Sequence, residues 1–289
     1  MMMTLIVPLL FLLTLPLGGD GGESGSTELR RAADLARRHG VSAEFLNQMI
    51  SAPDAGFIEK AVRINVTNYA FTPDYSGHYN SESVSKVQAF LQEHDSLFTA
   101  IERKRMVPKE VIASILWIES RCGSITGTYH VPSVYLSLIL ANDPVYIKAS
   151  MDRVASNKDF DPSQHDSLRA VIEKRAARKA AWAIKELKSL QTIHERGLMN
   201  VSELKGSWAG AFGFPQFIPS SYTAWAVDGD ADRTIDLYSL VDAGHSIANY
   251  LRKNGWTASR SKQRKAVHHY NNSDAYVNAV FTLAEKVRS

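Results

Sequence analysis

Residues 108–120 read PKEVIASILWIES, and no other stretch limits so strictly what the chain can fold into. Val111, Ile112, Ile115, Leu116, Trp117 and Ile118 leave a helix with almost no polar side, and a helix that is apolar all round must be buried in the middle of a fold. Pro108 suits the opening, where a missing N–H costs nothing, and Gly123 is a plausible stop. At its far end this helix carries Glu119. A carboxylate there is expensive to bury unless it is neutral, paired or open to a cleft. Burial raises a carboxyl pKa, which suits a general acid working near neutrality. An ion pair with Arg121 is the structural alternative.

The remaining pattern is mainly α-helical. Leu29, Ala32, Ala33, Leu35, Ala36, Phe45, Leu46 and Met49 fall at helical spacings and predict two short helices between residues 27 and 51, broken near Gly40. Residues 54–82 read as irregular, with an extended piece at 61–66, and a helix is expected from about 83 to 104. Residues 163–196 predict a long polar helix with Leu168, Ile172, Ala176, Ala180, Ile184 and Leu187 along one apolar stripe. Further helices are expected at about 219–226, 239–254 and 273–287. No internal repeat occurs, and no Pro/Gly/Ser-rich linker follows residue 27, so residues 27–289 read as one unit with its core at about 101–289.

The chain opens on MMMTLIVPLLFLLTLPLGG, the layout of a secretory leader without its usual positive start, since Arg30 is the first basic residue. Residues 1–26 are therefore expected to be a signal peptide and an exposed segment, and the mature protein to be soluble in the periplasm or secreted. Cys122 is the only cysteine, so an internal disulfide and a cysteine metal cluster are excluded, and no cysteine follows the leader to carry a lipid anchor. A formal net charge of +3 gives no support to nucleic-acid binding.

GxSxG, GxxxxGK[ST] and HExxH are absent, and the histidines show no ligand spacing. The segment GSWAGAFGFPQFIPSSY, residues 206–222, instead concentrates glycines and aromatics. Glycine lets backbone approach a ligand closely, and aromatic faces stack on sugar rings, although the same composition also builds tight cores.

Four ordered blocks, IESRCGSITGTYHV, GSWAGAFGFPQFIPSSY, VDGDADRTIDLYSLVDAGHSIANYLRKNGW and HHYNNSDAYVNAV, resemble the membrane-bound lytic murein transglycosylase B family. The resemblance implies a lysozyme-like helical catalytic core with an additional helical subdomain flanking a glycan-binding groove. It implies Glu119 as the catalytic acid/base, Ser207 and Gln216 beside the scissile bond, and Tyr250, Tyr270, Asn271 and Tyr276 as residues that position the sugars. The implied partner is the peptidoglycan strand, and the implied reaction a lyase step at the MurNAc–GlcNAc β-1,4 bond that leaves a 1,6-anhydroMurNAc end. A single carboxylate suffices because the substrate's own acetamido group stabilises the anomeric carbon.

No cofactor is needed for that chemistry, but a structural calcium ion is a candidate. Asp228, Asp230 and Asp232 stand at positions 1, 3 and 5 of an EF-hand-like run, with Thr234 at the carbonyl position. Arg233 replaces the turn glycine and Ser239 the closing glutamate, while Asp242 matches a later aspartate that closes a longer loop in some relatives. A solvated acidic turn is the alternative. Two rival functions remain. A hydrolytic muramidase would use a second carboxylate from among Asp143, Asp228 and Asp236, and a peptidoglycan-binding scaffold would have lost catalysis.

Overall fold

The structure, a computed structural model, describes residues 23–71, 73–157, 160, 163 and 165–289. The expected leader falls outside them up to residue 22. The described chain is mainly helical, with thirteen α-helices numbered in chain order and one two-stranded sheet. The described residues divide into two compact units, one formed by 73–126 and 212–289, the other by 23–71 and the described part of 127–211. None of these boundaries carries a Pro/Gly/Ser-rich linker, so composition gives no sign of the division.

The second of these units holds α1 (Glu23–Arg38), α2 (Ala43–Ile50), α3 (Glu59–Thr67), α7 (Val131–Ile139), α8 (Pro144–Ala155) and α9 (His165–Glu195). Helix α7 is buried along its whole length and packs against α1, α3 and α9. The extended piece expected at 61–66 is instead helix α3. Its Ala61, Val62, Asn65 and Val66 form one buried face against α7, α8 and α9, so tertiary packing overrides the β-branched composition. In α9 the inward stripe runs through Lys179, Ala183, Glu186 and Leu190, while Ala180 and Ile184 are only half-buried. Strands β1 (Tyr129–His130) and β2 (Lys205–Gly206) pair antiparallel.

The other unit holds α4 (Ser81–Glu93), α5 (Asp95–Arg105), α6 (Lys109–Ser120), α10 (Pro219–Trp225), α11 (Leu240–Lys253), α12 (Arg260–Tyr270) and α13 (Asp274–Arg288). Two helices occupy the span expected to be one, because His94 leaves helical geometry and packs its ring edge-on against Phe90, 4.9 Å between centroids. Helix α6 fulfils its pattern: every residue from Val111 to Ser120 is buried, with α4, α5, α11 and α13 packed around it. It ends before Gly123, since Arg121 already turns to φ 53° and Cys122 to φ 55°. Three successive residues through Gly123 (φ 94°) are left-handed, a strained exit placed directly behind Glu119.

Candidate active site

Glu119 is 3% exposed, one residue short of the end of α6. Its carboxyl accepts a hydrogen bond from the Tyr276 hydroxyl at 2.6 Å, from the first turn of α13. Desolvation pushes its pKa up to about 8, against the lowering effect of the Tyr276 bond. Neither a cation nor a second carboxylate contributes to that shift, so the ion pair with Arg121 is not what holds it. Arg121 instead lies over the Trp117 ring, 4.6 Å from its centroid. At neutral pH Glu119 is therefore mostly a protonated, proton-donating acid.

Two loops are sewn together beside it. The turn after Glu119 is tied to the 212–217 segment by the Ser120 hydroxyl, which donates to the Phe214 carbonyl at 2.7 Å and accepts the Gly123 N–H. A side chain at Gly123 would run into the Phe214 ring, with a Cβ only 2.6 Å from it, and that residue's φ of 94° also favours glycine. Phe212 and Phe217 pair across the turn, and Gly213 meets Leu237 where no Cβ fits.

Within this turn Gln216 takes φ 50° and is buried. Its amide nitrogen donates to the carbonyls of Thr126 (3.1 Å) and Gly213 (2.8 Å), which fixes the amide orientation and leaves Oε1 buried without a partner among the described residues. What remains is an acceptor for a ligand donor. Asn271 Oδ1, just past α12, is likewise buried and unpartnered. Tyr270 donates to the Pro215 carbonyl at 2.5 Å, anchoring the same turn, and Tyr250 donates to the His269 carbonyl at 2.7 Å while packing edge-on against Tyr270. Both hydroxyls are thus engaged in fixing neighbouring backbone. Burial and then the charge of Glu119 raise the pKa values of Tyr270 and Tyr276 well above the usual phenol range.

The structure therefore brings Glu119, Tyr270 and Tyr276 within electrostatic reach of one another, with Gln216, Tyr250 and Asn271 tied to the same turn and helix end. Ser207 belongs to the other unit. There its N–H donates to the Ala211 carbonyl and its hydroxyl oxygen accepts the Ala211 N–H, 2.8 and 3.2 Å respectively. Sequence reading missed Tyr75, which lies edge-on to Tyr276 at 5.8 Å. Its hydroxyl is buried without a partner, and burial, then Glu119, raises its pKa. An isolated tyrosine in an irregular stretch carries no periodicity or spacing that could have marked it.

The acidic loop is separate. Oxygens of Asp228, Asp230 and Asp242 lie within 4.8 Å of one another. The Asp232 carboxylate is not in that cluster; it accepts the Thr234 N–H at 2.7 Å. Arg233, where a turn glycine was expected, takes the left-handed conformation regardless (φ 75°), and its N–H donates to Asp228. Ser239 caps α11, and Asp242 closes the loop by accepting the N–H groups of Gly229 and Asp236, both at 2.7 Å. Burial raises the Asp242 pKa, against those two bonds, and the nearby charges of Asp230 and Asp228 push it further up. Three hard oxygen donors whose repulsion a divalent cation would relieve fit calcium. Asp143, another expected candidate, is the N-cap of α8 and pairs with Arg31.

Fold and site together define a helical protein whose buried helix α6 carries at its end a carboxyl raised by desolvation. The transglycosylase SLT domain model matches residues 24–266, and the chain belongs to that lytic transglycosylase family. It is 30% identical over 150 residues to membrane-bound lytic murein transglycosylase B of Escherichia coli, a match spanning 52% of this chain and 32% of that protein's length. Two solved structures share its fold. SltB3 from Pseudomonas aeruginosa, in complex with NAG-anhNAM-pentapeptide, superposes with a TM-score of 0.67 at 20% identity, covering 93% of this chain and 80% of its own. Lytic transglycosylase Slt35 of E. coli, in complex with bulgecin A, gives 0.66 at 21% identity, covering 94% and 95%; Slt35 has also been solved with calcium.

Proposed function

We propose that this protein is a lytic transglycosylase that cleaves the MurNAc–GlcNAc β-1,4 bond of peptidoglycan, with Glu119 as its only acid/base. The observation that carries this reading is the Glu119 carboxyl, 3% exposed at the end of α6 and bonded by the Tyr276 hydroxyl, a setting whose desolvation raises its pKa to about 8. A glycosidase of the usual kind needs two carboxyl groups across the bond. Asp228 is engaged in the acidic loop, and Asp236 caps the turn to Tyr238, so neither is spare for the second role.

Glu119 gives its proton to the glycosidic oxygen as the C1–O bond breaks. The 2-acetamido oxygen of the same MurNAc closes onto C1, which takes the positive charge off the anomeric carbon. The Glu119 carboxylate, now steadied by the Tyr276 hydroxyl, removes the proton of the C6 hydroxyl. The C6 oxygen then displaces the acetamido oxygen at C1, giving the 1,6-anhydro end and restoring the acid without consuming water. Gln216 Oε1 and Asn271 Oδ1 would accept donors from the sugar, either hydroxyl or acetamido N–H. Tyr250 and Tyr270 keep the Gln216 turn and the Asn271 helix end in place, and Ser207 is carried over as a glycan contact from the resemblance alone.

Residues 27–289 act as the catalytic unit in this reading. The place of action is wherever peptidoglycan lies, outside the cytoplasmic membrane; no helix among the described residues is long and apolar enough to cross a membrane. Calcium, held by Asp228, Asp230 and Asp242, would stiffen the 228–242 loop and take no part in the reaction. Mass spectrometry of muropeptides released from purified peptidoglycan tests the reading. Anhydro products, absent with Glu119→Gln, support it; reducing ends from the wild type would replace it with a hydrolase, and binding without products with a scaffold.

A further inference from the structure

Helix α12 does more than deliver Tyr270 and Asn271. From residue 243 to residue 273 the chain has no aspartate or glutamate, but it carries Arg252, Lys253, Arg260, Lys262, Arg264 and Lys265. The helix buries Ala266, Val267 and Tyr270, and the stripe beside that face, Lys262, Lys265 and His269, is exposed at i, i+3 and i+7 spacing. Arg260 and Arg264 are committed inward: they lie over the Phe281 ring and bond Glu285 and Asn278. Lys262 and Lys265 have no such partner among the described residues.

We infer that the Lys262–Lys265–His269 stripe is a docking surface for the carboxylate-bearing peptide attached to MurNAc on the strand being cut. This rests on the reading of Glu119 as the catalytic acid of a peptidoglycan lyase. The stripe leads to the site, because its last member, whose carbonyl accepts the Tyr250 hydroxyl, is followed by Tyr270, which bonds the Pro215 carbonyl beside Gln216, and by Asn271. At about 1.5 Å per residue, Lys265 and Lys262 stand some 8 and 12 Å along the helix axis from Tyr270. A stem of four or five residues, extended at about 3.3 Å each, spans that distance from its lactyl attachment. Peptidoglycan strands bring several free carboxylates per repeat, and two exposed lysines on a helix with no acid of its own complement them.

The test compares the full-length wild type with a Lys262→Glu/Lys265→Glu variant on two substrates: peptide-bearing strands, and the same strands stripped of peptides by an amidase. Both positions are exposed, and an unchanged melting temperature verifies folding. The expected result is a loss of about fivefold in kcat/KM on peptide-bearing strands, the scale of two exposed ion pairs, with equal rates on stripped strands. Equal loss on both substrates, or no loss on either, overturns the inference. A wild type that releases no anhydro product from either substrate overturns the lyase reading itself, and the inference with it.

Discussion

Glu119 and the 228–242 loop use the same functional group in opposite ways. One carboxyl is buried and its pKa raised by desolvation, bonded by the Tyr276 hydroxyl and close enough to Tyr75 and Tyr270 to raise theirs. In the loop Asp242 is buried and raised as well, but Asp228, in a hydrogen-bonded turn, is held below its ordinary value despite some desolvation, because the N–H groups of Arg233 and Ala231 favour its charged form. Isolation in an apolar setting makes an acid that can donate; clustering among backbone donors makes anions that can hold a cation. Sequence position foretells neither outcome, since both depend on what packs around the group.

The sharpest way to break the comparison is to remove the acid. Glu119→Gln should lower the rate of anhydro-muropeptide release by about 10²–10⁴-fold, the range for a lost general acid, whereas Asp228→Asn should leave most of it. In the wild type the protonated form starts the reaction, so kcat/KM should be sustained below pH 8 and fall as pH rises through about 8.

The same substitution should stabilise the fold. The folded pKa lies above the unfolded one, so the unfolded chain ionises first and stability is lost as pH climbs from about 4.5 toward 8. Glu119→Gln removes that loss. It should gain roughly 3 kcal/mol at pH 7 in urea melts, and the gain should vanish below pH 4. A constant gain at every pH would mean that packing, not ionisation, is the cause.

Tyr276→Phe deletes the one bond that favours the ionised form of Glu119. The alkaline limb of the pH–rate profile should move upward, and kcat should drop by about tenfold, as expected for a hydrogen bond to a charged group. The smallest effect belongs to the loop. Calcium at ten times its Kd should stabilise the wild type by about 1.4 kcal/mol, should leave Asp242→Asn unmoved, and should not change the pH at which activity falls.

Helix α6 was legible because its burial is written in its composition, and the four blocks named the family. Helices α7 and α8 left no comparable trace. The nine residues of α7, VPSVYLSLI, are too short an apolar run for periodicity to tell a buried helix from a buried strand, and the β-branched residues of α3 imitate a strand until α7, α8 and α9 pack on them. For the site, residue type and order could nominate Glu119, Gln216 and Tyr276. They could not tell that Gln216 has spent both its donors on Thr126 and Gly213, or that Tyr75 approaches Tyr276 from the 73–80 stretch.

The bond between Glu119 and Tyr276 joins residues 157 positions apart. Ribosomes and export machinery release a chain from its N-terminus, so for most of its biosynthesis the polypeptide carries its acid without the phenol that orients it. A fragment broken off anywhere between the two has the warhead and lacks its trigger. Such a fragment also lacks α13, one of the helices packed around α6, and with it part of the burial that raises the acid on which the proposed reaction depends.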